Sequence, residues 1–172
     1  MRKSLFIFCF LLFATDAVYS QTSLPKQYLE VISNLIKKTS EKQPATRIID
    51  FAENLIGVPY RYASSNPQRG FDCSGFVSYV FQNFGFKVPR SSPEFLNAGK
   101  PVKLDEAKVG DVLIFTGSNP RIRRIGHVGI IYSIEGDDIK FIHSSSGKAN
   151  GVTITPLDGY YKSRFIKAVS II

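Results

Sequence analysis

Tryptophan is missing from this 172-residue chain, methionine occurs once, and cysteine and histidine occur twice each. That scarcity narrows the chemistry. With Cys9 and Cys73 as the whole thiol complement, neither a disulfide framework nor a CxxC-built zinc scaffold can be assembled. No internal repeat or low-complexity tract occurs, which sets aside solenoids and arrays. The longest apolar run, Leu5 to Ala14, is about ten residues, half of the roughly twenty that a membrane-spanning helix needs. No integral membrane anchor is expected. Acidic side chains are also few, 14 against 22 Lys and Arg, for a net charge of +8. A surface of that sign favours phosphate- or carboxylate-bearing envelope polymers. Because the basic residues are scattered, no nucleic-acid partner is expected.

What is present begins with a leader. Met1-Arg2-Lys3 precedes the apolar run, and Val18-Tyr19-Ser20 stands before Gln21, the pattern of a secretory signal over residues 1–20 cleaved near Ser20. The protein is therefore expected outside the cytoplasm, in the periplasm, the extracellular space or the cell envelope. Cys9 follows Phe6-Ile7-Phe8 rather than the small residues of a lipoprotein site, so lipid attachment is not expected. Cleavage leaves Cys73 alone, and a lone thiol in an oxidising compartment is an intermolecular bridge or a reactive group. The remaining length suits one domain with its own core, expected as a monomer.

Tyr28, Leu29, Ile32, Leu35 and Ile36 recur at helical spacing between Pro25 and Lys38, so residues 21–45 read as a short helix and linker. A domain over residues 46–172 follows. It opens with a helix marked by Ile48, Ile49, Ala52, Leu55 and Ile56, stopped by Gly57. A loop leads to a second helix with Asp72 as N-cap, a face of Phe76, Val77, Val80, Phe81 and Phe84, and Gly85 as the stop. Ser92-Pro93 opens a short turn. Strands are expected at 112–115, 127–134, 139–143, 152–154 and 165–172. Helices first and strands later indicate an α+β fold with an antiparallel sheet.

Cys73 falls at the first turn of a helix, whose partial positive charge stabilises a thiolate; together with an imidazolium this can bring a thiol pKa from about 8.5 to roughly 3.5–7.5. A buried structural cysteine is the alternative. Both histidines, His127 and His143, lie in strands that look like neighbours around a turn at Glu135 to Asp138. One could serve as base and the other could fix its tautomer, although a one-residue slip in register would turn one ring to the opposite face. One Cys and two His could also ligate zinc, but no close CxxC or HxxxH spacing accompanies them. Asp72 and Asp111 read as a helix cap and a pre-strand turn rather than a carboxylate pair.

The succession Gly57-Val58-Pro59-Tyr60-Arg61-Tyr62, Asp72-Cys73-Ser74-Gly75-Phe76, Val109-Gly110-Asp111-Val112, Gly126-His127-Val128-Gly129-Ile130 and Phe141-Ile142-His143 resembles the NlpC family of cell-wall cysteine peptidases over about residues 46–170. The resemblance implies a circularly permuted papain-like fold, with Cys73 as nucleophile, His127 as base and His143 as its orienting partner. It implies Tyr60, Asp72 and Ser74 as substrate contacts, with packing and capping as their alternatives. It further implies peptidoglycan stem peptides as substrate, most typically at the γ-D-glutamyl–diamino acid bond, and neither metal nor cofactor. Cross-link cleavage, a non-catalytic wall-binding module, and an amidase or acyltransferase remain alternatives. Ala63-Ser64 departs from the Gly-Gly pair of many relatives. The basic loop Asn119 to Arg124 departs as well, either as a carboxylate or phosphate contact or as a solvated loop.

Overall fold

The computed structural model describes residues 25–40, 43–119 and 121–172. Residues 1–20, expected as an export leader, and Cys9 within them lie outside the described residues. Two units are distinguished, one ending at Thr39 and one running from Ser40 to Ile172. Helix α1 (Lys26–Ser40) covers the stretch whose spacing predicts it, and its apolar side chains Tyr28, Leu29, Ile32 and Leu35 are exposed. No helix among the described residues is long and apolar enough to cross a membrane.

The second unit opens with α2 (Pro44–Glu53), which starts earlier than Ile48 because Pro44 at the helix start has no N–H to lose. It also ends earlier: residues 54–57 turn, and the Gly57 N–H leaves the helix for the Val152 carbonyl at 2.9 Å. A small hairpin, β1 (Ser65–Asn66) and β2 (Gly70–Phe71), precedes α3 (Cys73–Gln82). Six strands follow: β3 (Lys100–Val102), β4 (Val112–Thr116), β5 (Ile125–Glu135), β6 (Asp138–Ser145), β7 (Gly151–Pro156) and β8 (Phe165–Ser170). They form one sheet in the order β3-β8-β4-β5-β6-β7, antiparallel throughout. The α+β reading therefore holds. A short helix α4 (Gly159–Arg164) enters β8.

Alternation along the strands splits the core. Val112, Ile114, Val128, Ile130, Ile142 and Val169 pack with Phe76, Val77, Val80 and Phe81 of α3 and with Ile48, Ile49 and Ala52 of α2. Leu113, Phe115, Ile131, Phe141 and Ala168 form a second cluster, joined by Tyr161 and Phe165. Helix α3 is buried beyond its apolar face, with Ser74, Gly75 and Ser78 also inside, since α2, β1, β5 and β6 all touch it. Each fully buried Phe or Val there is worth about 1.5–3 kcal/mol of transfer free energy. The helix start that carries Cys73 is thereby anchored to the sheet.

Candidate active site

Two independent ties fix the segment ahead of Cys73. The Ser144 hydroxyl of β6 donates to the Phe71 carbonyl at 2.7 Å, and the Tyr60 N–H donates to the Asn150 carbonyl at 2.9 Å. Asp72 then caps α3 in extended conformation, its Oδ1 accepting from the Gly75 N–H at 2.6 Å. Gly75 has no room for a side chain, because a Cβ would sit 2.1 Å from the Ser64 carbonyl oxygen. Ser64 in turn accepts the Asp72 N–H at 2.9 Å. The preceding Ala63 holds φ 56°, a left-handed conformation in which glycine is at ease and alanine is strained.

Cys73 is 8% exposed. Its Sγ lies 3.4 Å from the Ser92 hydroxyl and 3.8 Å from the Gly126 carbonyl, while the N–H groups of Val128 and Ser74 also face the sulfur. Burial pushes the thiol pKa up, and these hydrogen bonds offset the rise only in part. This corrects the expectation of a lowered thiol pKa: desolvation comes first, and the neighbouring Asp72 carboxylate disfavours the thiolate further.

The two imidazoles meet on the same face of the sheet. Register Ile130↔Ile142 and Ile131↔Phe141 continues to set Gly129 opposite His143, with His127 two residues along on that face. His127 Nε2 lies 2.8 Å from His143 Nδ1, and His143 Nε2 lies 2.9 Å from the Thr155 hydroxyl of β7. The His127 Nε2 nitrogen being engaged, Nδ1 is the ring nitrogen left to exchange a proton with a group in the cleft. One tautomer set serves that purpose: Thr155 accepts from His143 Nε2–H, and His143 Nδ1 accepts from His127 Nε2–H. His143 is fully buried, with Phe141 at 4.5 Å and Tyr161 at 5.2 Å between ring centroids. Burial, followed by His143 and Arg164, holds the His127 pKa well below the usual imidazole range. Burial and Arg164 push His143 down to about 3.

That shift gives a stability prediction. Above about pH 6.5 neither the folded nor the unfolded chain carries a proton on His143; between about 6.5 and 3 only the unfolded chain does. Stability therefore falls as pH drops through that window, by about 1.4 kcal/mol per pH unit. Denaturant melts at pH 7 and pH 5 are expected to show a loss about 2 kcal/mol larger in the native chain than in His143→Gln. Equal losses would mean that His143 is protonated in the folded state.

Gly129 makes the imidazole pair possible. A Cβ there would come 2.6 Å from Phe141 Cδ2 and 3.0 Å from His143 Cβ. Gly129→Ala is expected to displace His143 and cost about 1–3 kcal/mol by overpacking, measured by urea unfolding; an unchanged midpoint would show that β6 yields without cost.

Cys73 and His127 line a common cleft with Tyr60, Gly126, Tyr160, Tyr161 and Arg164. The thiol makes no hydrogen bond to His127 and is turned toward Ser92 and Gly126. Beyond Cys73 the cleft continues between Tyr60, Tyr62, Ala63, Asp72, Ser74, Arg90 and Ser92. Tyr60 borders both halves, and burial followed by the neighbouring Cys73 raises its pKa. Arg90 engages Asp72 at both carboxylate oxygens, at 2.7 and 3.0 Å, and the Ser74 hydroxyl at 3.1 Å. The Asp72 carboxylate is thus committed to the cap and this ion pair. Asp111 lies elsewhere, accepting the Lys108 N–H at 2.8 Å in the turn before β4. Among the described residues, no group of three or more His, Cys, Asp or Glu is gathered as a metal site would be.

Four residues of the site have no counterpart in the sequence reading as site residues. Ser92 was legible only as the start of a turn. Thr155 lies one residue past the strand expected at 152–154. Tyr161 and Arg164 sit on α4, too short to carry a period. In the basic loop, Arg123 donates to the Ser163 and Phe165 carbonyls at 3.3 and 2.9 Å, and Arg121 and Arg124 are exposed; Pro120 lies outside the described residues.

The sequence pattern of the NlpC/P60 family matches residues 57–170. The chain belongs to the NlpC/P60 family. Over 157 residues it is 34% identical to the murein DD-endopeptidase MepS/murein LD-carboxypeptidase of Escherichia coli K12, covering 90% of this chain and 76% of that protein. Over 126 residues it is 41% identical to the gamma-DL-glutamyl hydrolase of Bacillus subtilis 168, covering 70% of this chain. This chain spans 29% of the length of that hydrolase. Among solved structures, an NlpC/P60 family protein from Bacillus cereus superposes with a TM-score of 0.65 at 26% identity, over 75% of this chain and 40% of that one. This NlpC/P60 chain thus has the family's fold from the loop at Gly57 to the last strand.

Proposed function

We propose that this protein is a peptidoglycan hydrolase, a cysteine endopeptidase that cuts stem-peptide amide bonds, with Cys73 as nucleophile, His127 as general base and acid, and His143 as the residue that orients His127. The observation that carries this reading is the chain from His127 Nε2 through His143 to Thr155, beside a cleft that His127 shares with a thiol at a helix start. Such an array fixes one tautomer and leaves Nδ1 as the proton acceptor.

His127 takes the Cys73 proton as Sγ attacks the amide carbonyl carbon. The N–H groups of Cys73 and Ser74, in the first turn of α3, stand outside the helical ladder and are the donors nearest in sequence to Sγ for a developing oxyanion, the Ser74 N–H turning to it from the sulfur. Collapse breaks the C–N bond, the amine leaves with the proton from His127, and a thioester remains. Water, deprotonated by His127, releases the acyl fragment and restores the thiol. Tyr60 and Ser74 border the acyl side, while Asp72 acts through its cap and its ion pair with Arg90.

The favoured bond joins D-glutamate through its side chain to the diamino acid; the name of the Bacillus relative supports the γ-glutamyl part of this bond. The Escherichia relative, matched over more of its length, is named a DD-endopeptidase and supports cross-link cleavage as the second reading. We also propose that residues 1–20 are an export leader that sends the enzyme to the cell envelope, with the peptidase domain over 46–172. Incubation of purified sacculi with the protein, followed by mass spectrometry of the released fragments, tests the reading. New amino termini on diamino acids are expected; release of cross-linked stems into monomers would transfer the assignment to the second bond, and no release would sink both.

A further inference from the structure

The His127 side of the cleft holds one formal charge that this chemistry leaves unused. Arg164 is 5% exposed. Its Nε donates to the Gly117 carbonyl at 2.9 Å and its Nη2 to the Thr116 carbonyl at 2.8 Å. The guanidinium lies 4.5 Å from the Tyr160 ring centroid and 5.3 Å from that of Tyr161. Among the described residues no carboxylate pairs with it, and no acidic side chain lines this half of the cleft. Nη1 has no protein partner among them. Arg90, on the acyl side, differs in having Asp72.

A cation held away from water without an anion is costly, and this one is rigidly built in. Arg123 ties down the carbonyls of Ser163 and Phe165, on either side of Arg164. Two backbone carbonyls and two aromatic rings then fix the guanidinium plane. Arg presents further N–H donors in that plane, in a fork suited to a carboxylate. Position identifies which carboxylate. His127 must hand its proton to the leaving amine, so the amine-side fragment occupies the half of the cleft that His127 and Arg164 share.

We propose that Arg164 is a specificity residue of the leaving-group subsite, binding a carboxylate of the fragment that departs as the amine. The assignment rests on the hydrolase reading. Arg164 also holds down the proton affinity of both imidazoles. A carboxylate seated on it would offset that effect when His127 must hold a proton, coupling substrate recognition to the base.

The test compares L-alanyl-γ-D-glutamyl-L-lysine with its C-terminal carboxamide. Binding of each to the full chain carrying Cys73→Ala, by calorimetry, is expected to favour the carboxylate by tenfold or more, as for a charge-assisted hydrogen bond. In the double variant Cys73→Ala/Arg164→Gln the ratio is expected to fall to near one, and Arg164→Lys is expected to retain part of it. A ratio near one with Arg164 in place would overturn the proposal, as would no binding of either peptide or a ratio that survives Arg164→Gln. The first outcome needs no Arg164 variant to fold. Cleavage of both peptides at equal rates by the unsubstituted protein would leave the hydrolase reading standing while removing Arg164 from it; sacculi left uncut would remove the hydrolase reading.

Discussion

Cys73→Ala is expected to lower amide cleavage by a factor on the order of 10⁴ or more. Cys73 is the one cysteine among the described residues, and the Ser92 hydroxyl beside Sγ has no base in contact with it. Without a covalent intermediate, water must attack the amide directly, with only the Cys73 and Ser74 N–H groups to favour the oxyanion. The substitution is expected to leave the fold intact, since alanine fills most of the volume at a site that is 8% exposed and the Asp72 cap does not involve the sulfur. Circular dichroism melts are expected to shift little, while release of fragments from sacculi stops. Undiminished release would remove Cys73 from the chemistry.

His127→Ala is the second large effect, on the order of 10³-fold in kcat/KM, within the range found when a general base is removed. The resting state matters to its form. Burial raises the Cys73 thiol and, with His143 and Arg164, lowers the His127 imidazole, so both directions favour the uncharged pair. The thiolate is then made as the attack proceeds rather than stored beforehand. Two outcomes follow. Activity is expected to persist below pH 6.5, because His127 stays unprotonated and able to accept the thiol proton. Alkylation of Cys73 by iodoacetamide at pH 6 is expected to slow about a hundredfold in His127→Ala and to recover only toward alkaline pH. Undiminished alkylation at pH 6 would separate the thiol from the imidazole.

The elements that bring these residues together were legible to different degrees. Helix α3 could be read to within a few residues because Asp72 caps it and Phe76, Val77, Val80 and Phe81 recur at helical spacing. The strands carrying His127 and His143 were legible as apolar runs around Glu135 to Asp138. Their register was not: it depends on the extra residue at Tyr132 and on the space left by Gly129, and neither has a periodic signature. Thr155 escaped because a strand end is set by its neighbour, and β7 pairs with β6 as far as Lys140↔Pro156. Arg164 escaped for a different reason. It stands out by having no acidic partner among the described residues, and only the folded arrangement shows that. The thiol pKa was misjudged from sequence because a helix end is visible in residue order whereas the burial that outweighs it is not.

The measurement that bears most directly on Cys73 as nucleophile is mass spectrometry of the intact protein, acid-quenched during turnover of a stem peptide. The expected result is a population heavier by the mass of the acyl fragment less water, mapped by proteolysis to the peptide containing Cys73 and released by hydroxylamine as a thioester would be. Turnover with no adduct under conditions that trap thioesters, or an adduct on any other residue, would contradict it.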